Sequence, residues 1–167
     1  MSVVTFPPST AITPYVQSFE VVEVGQETTR TLLPEPGLVA GIRFSGSAVA
    51  LEGGGARPLP DFTLTGLRQT ARRIRTSAGG GVVLAKFREG GAGAFFTLPL
   101  QQLFGVTLGL DRLLGSNAVE RARLRMQRAQ SAAERVAIFE HLLLTHRTRW
   151  TPDPVVCRAL DAIGTAK

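Results

Sequence analysis

The chain is poor in the side chains that carry most enzyme chemistry. It has a single cysteine, Cys157, which rules out a disulfide framework within the chain. Its apolar neighbours Val155, Val156 and Leu160 suit a plain buried residue. There are two histidines, His141 and His146, and none in the first hundred residues. A barrel enzyme that holds a metal carries its ligands on strands, in the half where this sequence has no imidazole. The two histidines stand five residues apart in a segment that reads as helix. That turns them to different faces, unlike the four-residue spacing of zinc-binding pairs. The sequence therefore points to no metal site and no cofactor.

Nucleophilic chemistry lacks a base for the same reason, since a serine or cysteine nucleophile needs one within hydrogen-bond reach. The glycine triplets at 53–55 and 79–81 match neither GxxxxGK[ST] nor GxGxxG and read as tight turns. Glu20, Glu23, Glu35, Glu52, Asp61 and Glu89 offer carboxylates, but no spacing singles out an acid/base pair. No catalytic residue is assigned, and the chain is not expected to be an enzyme. Long apolar runs are missing too, none approaching the roughly 20 residues needed to cross a bilayer. The opening MSVVTFPPST has neither the basic lead nor the apolar segment of a secretory signal. No membrane partner and a cytoplasmic location are the expectation.

What is present is material for one domain: 167 residues, 44% apolar and 19% charged, enough to bury a core. The net charge of +6, from 19 basic and 13 acidic residues, suits a nucleic-acid partner but bears on association rather than fold. The first half is built of short apolar or alternating runs cut by Gly and Pro, the pattern of an antiparallel sandwich or barrel. Expected strands are Tyr15–Val24, Thr28–Leu33, Leu38–Phe44, Ala48–Glu52, Phe62–Thr65, Ala71–Thr76, Val82–Phe87 and Ala94–Thr97. Past Leu98-Pro99 the period becomes helical. Helices are expected after Pro99, over Thr107–Leu114, from an Asn117/Glu120 cap to about Ala129, from a Ser131/Glu134 capping box to about Thr145, and from Asp153-Pro154 towards Gly164. The fold class is α+β, with a β unit over 1–98 and a helical layer over 99–167.

Three clusters bear on function. Arg68, Arg72, Arg73 and Arg75 crowd one loop and strand, and alternation sends Arg73 and Arg75 to one face and Arg72 to the other. One of them can enter the interior and anchor an anionic ligand through its planar fork; a solvated strand face is the competing reading. Arg121, Arg125 and Arg128 share a basic helical face, which reads as solvated surface before phosphate contact. Val136, Phe139 and Leu143 form one apolar stripe, with Ile138 and Leu142 beside it. Such a wide stripe wants cover on more than one side. Burial within the chain and pairing with a second copy are equally open, the pairing residues being Val136, Phe139, Leu142 and Leu143.

Several short motifs together resemble the sensor half of AraC-type bacterial transcription regulators. They are Pro8-Ser9 and Pro14-Tyr15-Val16, Leu33-Pro34 ending in Gly37, and Leu59-Pro60 followed by Thr65-Gly66. An Arg75-containing strand and VVLAKFREGG over Val82–Gly91 continue the likeness, as do Glu134-Arg135, Ile138 to Leu143 and Pro152-Asp153-Pro154. The resemblance implies a cupin-like β-barrel that binds a small-molecule effector, a helical layer that makes a homodimer, and a C-terminal helix-turn-helix pair that reads DNA. The chain departs from the pattern at Phe19, where a Tyr-Trp pair is common, and in stopping at Lys167, where the DNA-reading unit is expected. DNA contact is thus expected only through a domain this chain lacks. Inward-facing bulky residues on the expected strands give a candidate pocket of Leu38, Ile42, Phe44, Phe62, Arg75, Leu84, Phe87 and Phe95. Core packing is the competing reading for each apolar member. The alternatives are a small cupin-fold enzyme, an isomerase or metal-dependent oxygenase, and a ligand-free interaction module.

Overall fold

The computed structural model describes residues 1–148 and 154–165. Over these described residues the fold is α+β: ten strands in two antiparallel sheets, with four α-helices. In chain order the strands are β1 (Ser2–Phe6), β2 (Val16–Val24), β3 (Thr28–Leu32), β4 (Val39–Ser45), β5 (Ala48–Glu52), β6 (Gly55–Pro58), β7 (Phe62–Thr65), β8 (Arg72–Thr76), β9 (Gly80–Phe87) and β10 (Thr107–Gly109). The helices are α1 (Asp111–Leu114), α2 (Ser116–Arg128), α3 (Ala132–Thr145) and α4 (Pro154–Thr165). The large sheet runs β1-β2-β9-β4-β7-β10 and the small one β3-β8-β5-β6. No strand belongs to both, so the sheets do not close into a barrel.

Alternation along β9 shows how the large sheet is used. Val83, Ala85 and Phe87 are buried while Val82, Leu84 and Lys86 between them are half-buried. The register carries this parity across neighbours: Val83 lies opposite Val21 and Ile42, and Ala85 opposite Phe19 and Ala40. One face is therefore apolar throughout, and it packs against α2 and α3. Phe19 and Phe139 meet there with ring centroids 5.9 Å apart, both fully buried. Val119 and Met126 of α2 and Leu143 of α3 complete the layer. The period of these residues, three or four apart, puts each helix's apolar stripe on the sheet.

The Ser131/Glu134 capping pair forms, Ser131 Oγ accepting from the Glu134 amide at 3.2 Å. Glu134 in return accepts from the Gln130 amide, 2.9 Å away. The Asn117 cap does not form: α2 begins at Ser116 after Gly115, with Asn117 inside it and no side-chain cap. The expected strand over 94–97 is instead the end of a tight turn, Gly91–Ala94, followed by buried Phe95 and Phe96. These rings cluster with Phe87 and Tyr15, so a run of apolar residues signals burial here rather than extension. The expected helix over 107–114 divides into β10 and the single turn of α1, because Thr107 and Gly109 are weak helix formers. The helix after Pro99 is a tight turn, Leu100–Leu103. Strands β1 and β6 carry no burial alternation, being edge strands with mostly exposed residues. The β5–β6 turn needs glycine, since Gly53 and Gly54 both take positive φ, 58° and 80°. The Asp153 cap lies outside the described residues.

Arg135 ties the helices to the sheet. It donates through Nε to the Met126 carbonyl at 3.2 Å, through Nη2 to Ala129 O at 3.2 Å, and through Nη1 to Glu23 Oε1 at 3.1 Å. Its guanidinium lies 4.3 Å from the centre of the Phe44 ring. Arg135→Met keeps the stem but strips the last carbonyls of α2 of their donors. The expected loss is about 2 kcal/mol, read as a lower urea midpoint with an unchanged m-value.

Candidate functional site

The other face of the large sheet is not packed. A cavity of about 320 Å³ lies between the sheets and takes side chains from both. That volume falls at the small end of pockets for single small molecules. Parity decides its lining. From the large sheet come Glu20, Val22, Arg43, Thr63, Thr65, Leu84 and Lys86, and from the small one Arg30, Arg72 and Ile74. Row by row, Lys86 lies opposite Val39 and Val39 opposite Thr65, which pairs with Thr107, while Arg43 sits opposite Val82.

Three polar groupings stand on these walls. Lys86 Nζ bridges two carboxylates, Glu20 Oε1 at 2.9 Å and Glu35 Oε1 at 3.2 Å. Burial pulls this ammonium down, but the hydrogen bonds and the attraction of both carboxylates outweigh it and hold its pKa above the ordinary value. Glu35 lies in the β3–β4 connection, so the bridge ties that loop to the sheet. A second group surrounds Thr107. Its Oγ1 accepts from Arg68 Nη2 and Arg72 Nη1, each at 3.2 Å, and stands 3.3 Å from Thr65 Oγ1. Arg68 also lies 3.5 Å from Glu52. Burial lowers the pKa of Arg72, with Arg68 and Arg57 repelling it and Glu52 opposing them. The third is Arg43 alone, 9% exposed. Asp61 Oδ1 is 3.8 Å from its Nε, beyond hydrogen-bond reach. Burial lowers its pKa and Asp61 only partly opposes that. Nε and Nη1 of Arg43, and Nε of Arg68, are buried without a hydrogen-bond partner.

Of the eight residues expected to face the interior, Leu84 lines the cavity. Leu38, Ile42, Phe44, Phe87 and Phe95 are buried in the core on the helix side, and Phe62 packs half-buried against it. Arg75 points away from the cavity and is exposed, while Arg72 lines it. The physical reason is that the large sheet is covered on its outer face by helices, so its bulkiest apolar residues mark that face. An uncovered barrel would have turned them inward. The residues that sequence reasoning misses are Arg43, Lys86, Glu20 and Thr107. The signal for Arg43 and Lys86 is a lone cation at an alternating position inside an otherwise apolar strand, GIRFS and VVLAKF. Val136, Phe139, Leu142 and Leu143 are each at most 5% exposed within the single chain. Burial by its own sheet accounts for the stripe, so these four offer no surface to a second copy.

Arg121, Arg125 and Arg128 are exposed, on a face of α2 beside its buried stripe. His141 is exposed and His146 half-buried, with His146 Nδ1 2.8 Å from Leu142 O. Among the described residues no three His, Cys, Asp or Glu side chains stand together as a metal cage. No helix among them is long and apolar enough to cross a membrane. No protein-family model matches the chain, and no curated protein matches it.

Proposed function

We propose that the chain is the effector-sensing and dimerisation domain of an AraC-type transcription regulator, its cupin-like β unit holding a small molecule between the two sheets. The observation that carries this reading is the cavity itself. One face of the large sheet is closed by helices, while the other is left open and lined by polar and apolar side chains together. A domain selected only for stability fills such a gap, because interiors pack to crystal-like density. The sequence motifs from Pro14-Tyr15-Val16 to Glu134-Arg135 supply the family, and with it the homodimer. That dimer uses a surface other than the buried α3 stripe. DNA reading in such a regulator belongs to helix-turn-helix units.

The test is a thermal-shift screen of this chain against a broad metabolite library, with light scattering on the same samples. A ligand bound only by the folded form adds about 2.7 kcal/mol at a hundredfold excess over its dissociation constant. The expected result is a saturable rise in Tm with no turnover of the compound, from a particle of twice the chain mass. Consumption of the compound would show an enzyme, and a library with no binder would leave a structural module.

A further inference from the structure

The chemistry of the walls narrows the occupant. The lining carries five cations, Arg30, Arg43, Arg68, Arg72 and Lys86, against two carboxylates, Glu20 and Glu35. Both carboxylates are engaged by the same cation, Lys86. The four guanidinium groups are thus left with little opposing charge inside the cavity. Glu52 and Asp61, the acids paired with Arg68 and Arg43, are themselves about half exposed and screened by water.

Arg43 is the pointed observation. It is the one charged residue among those described that is buried. Two of its donors have no hydrogen-bond partner. Buried polar groups in native proteins are nearly always paired, so an orphaned guanidinium marks a partner yet to arrive. Its neighbours across the sheet do not satisfy it, for Val82 opposite it is apolar and Asp61 on the other side accepts only from its backbone amide, through the main-chain carbonyl. A planar guanidinium matches the two oxygens of a carboxylate or phosphate. At the far side of the cavity Arg68 and Arg72 share a single acceptor, Thr107 Oγ1, and repel one another. An anion relieves that repulsion as well.

We propose that the cavity binds a small organic anion, with its carboxylate or phosphate group held by Arg43 and its charge further offset by Arg68 and Arg72. This rests on the sensor reading and adds the chemical class of the effector. Cationic amines are repelled by the same walls, and neutral sugars, whose hydroxyls can accept from a guanidinium, bring no charge to offset it and so bind more weakly than an anion.

The test uses the whole chain and matched probes in calorimetric titration. One arm holds benzoate, succinate and citrate. A second holds glycerol 3-phosphate and glucose 6-phosphate. The controls are benzamide, succinamide, glycerol, glucose and inorganic phosphate. The expected result is saturable one-site binding by members of one arm, which identifies the anionic group, and none by their neutral counterparts. Arg43→Met weakens that binding about tenfold or more, as loss of a charge-assisted hydrogen bond implies. Arg75→Met, on the outer face of the same small sheet as Arg72, leaves it unchanged. Without any ligand, Arg43→Met should raise Tm, because it removes a buried charge that nothing inside the chain satisfies. A lower Tm would show a structural role for Arg43 and overturn the proposal. So would binding of a neutral probe with Arg43→Met unaffected, which leaves the sensor reading standing. Inorganic phosphate binding as tightly as any organic probe would reveal an adventitious ion site only. Silence in both arms overturns the anion; a neutral binder from the broad library then still upholds a sensor, and none brings down both.

Discussion

Phe139→Ala is expected to cost about 3–5 kcal/mol, a large share of the stability of a domain this size. The ring is fully buried, meets Phe19 at 5.9 Å between centroids, and sits where α3 faces the middle of the large sheet. Its removal forfeits transfer free energy and leaves a hole that neither layer can fill. The sheet is held by ladders on both sides of β2 and β9, and α3 is held at its start by its capping pair and by Arg135. For a chain of this size the loss corresponds to a fall in Tm of about 10–15 °C. Differential scanning calorimetry reads it directly. A fall of only about 2–3 °C, worth roughly 1 kcal/mol, would mean that α3 is not seated as described. Because the ring lies on the side of the sheet away from the cavity, binding measured well below the new Tm should survive.

Gly66→Ala is expected to cost about 3 kcal/mol, at the upper end for overpacking. A Cβ at position 66 falls on the backbone carbonyl of Leu103, not on a side chain that can rotate aside. Retreat is blocked from both directions. The Gly66 amide donates to Val106 O at 3.0 Å, and the Gly105 amide donates to Leu67 O at 2.8 Å, so the two segments are fastened to each other on either side of the collision. Gly66 also borders the cavity next to Thr65, which adjoins Thr107. The substitution should therefore disturb the Arg68–Arg72 grouping and ligand response along with stability. Gly25→Ala is the control, since a Cβ there meets nothing within 4 Å. Gly25→Ala should hold or slightly raise stability, since alanine there only restricts the unfolded chain; a loss in it comparable to that of Gly66→Ala would overturn the collision with Leu103 as the cause.

Several elements are legible in the residues alone because one physical cause dominates each. The strand runs β2 to β5 and β7 to β9 announce themselves by short apolar or alternating segments between Gly and Pro punctuation. The start of α3 follows from Ser131 and Glu134, whose spacing leaves few alternatives. Edge strands β1 and β6 are not legible, since exposed residues on both faces erase the alternation that marks a strand. The site is harder. Alternation separates a strand's residues into two sets but does not say which set faces which layer. Ile42 and Phe87 belong inside only on the premise that bulk marks the pocket. In this fold the helices claim the bulk, and the half-buried set of Val82, Leu84 and Lys86 faces the cavity. The arginine pattern at 72–75 shows the same limit: alternation separates the two faces, yet the choice between Arg72 and Arg75 needs the position of the second sheet.

That division of faces also guards the strands while the chain is folding. In β4, Arg43 stands between Ile42 and Phe44, and each neighbour belongs to the opposite side of the sheet. A slip of one residue against β9 would drive a guanidinium into the layer beneath α2 and α3 and turn Ile42 and Phe44 towards water. The arginine proposed to greet a ligand thereby acts as a proofreading mark, making the misregistered sheet expensive before any ligand is present.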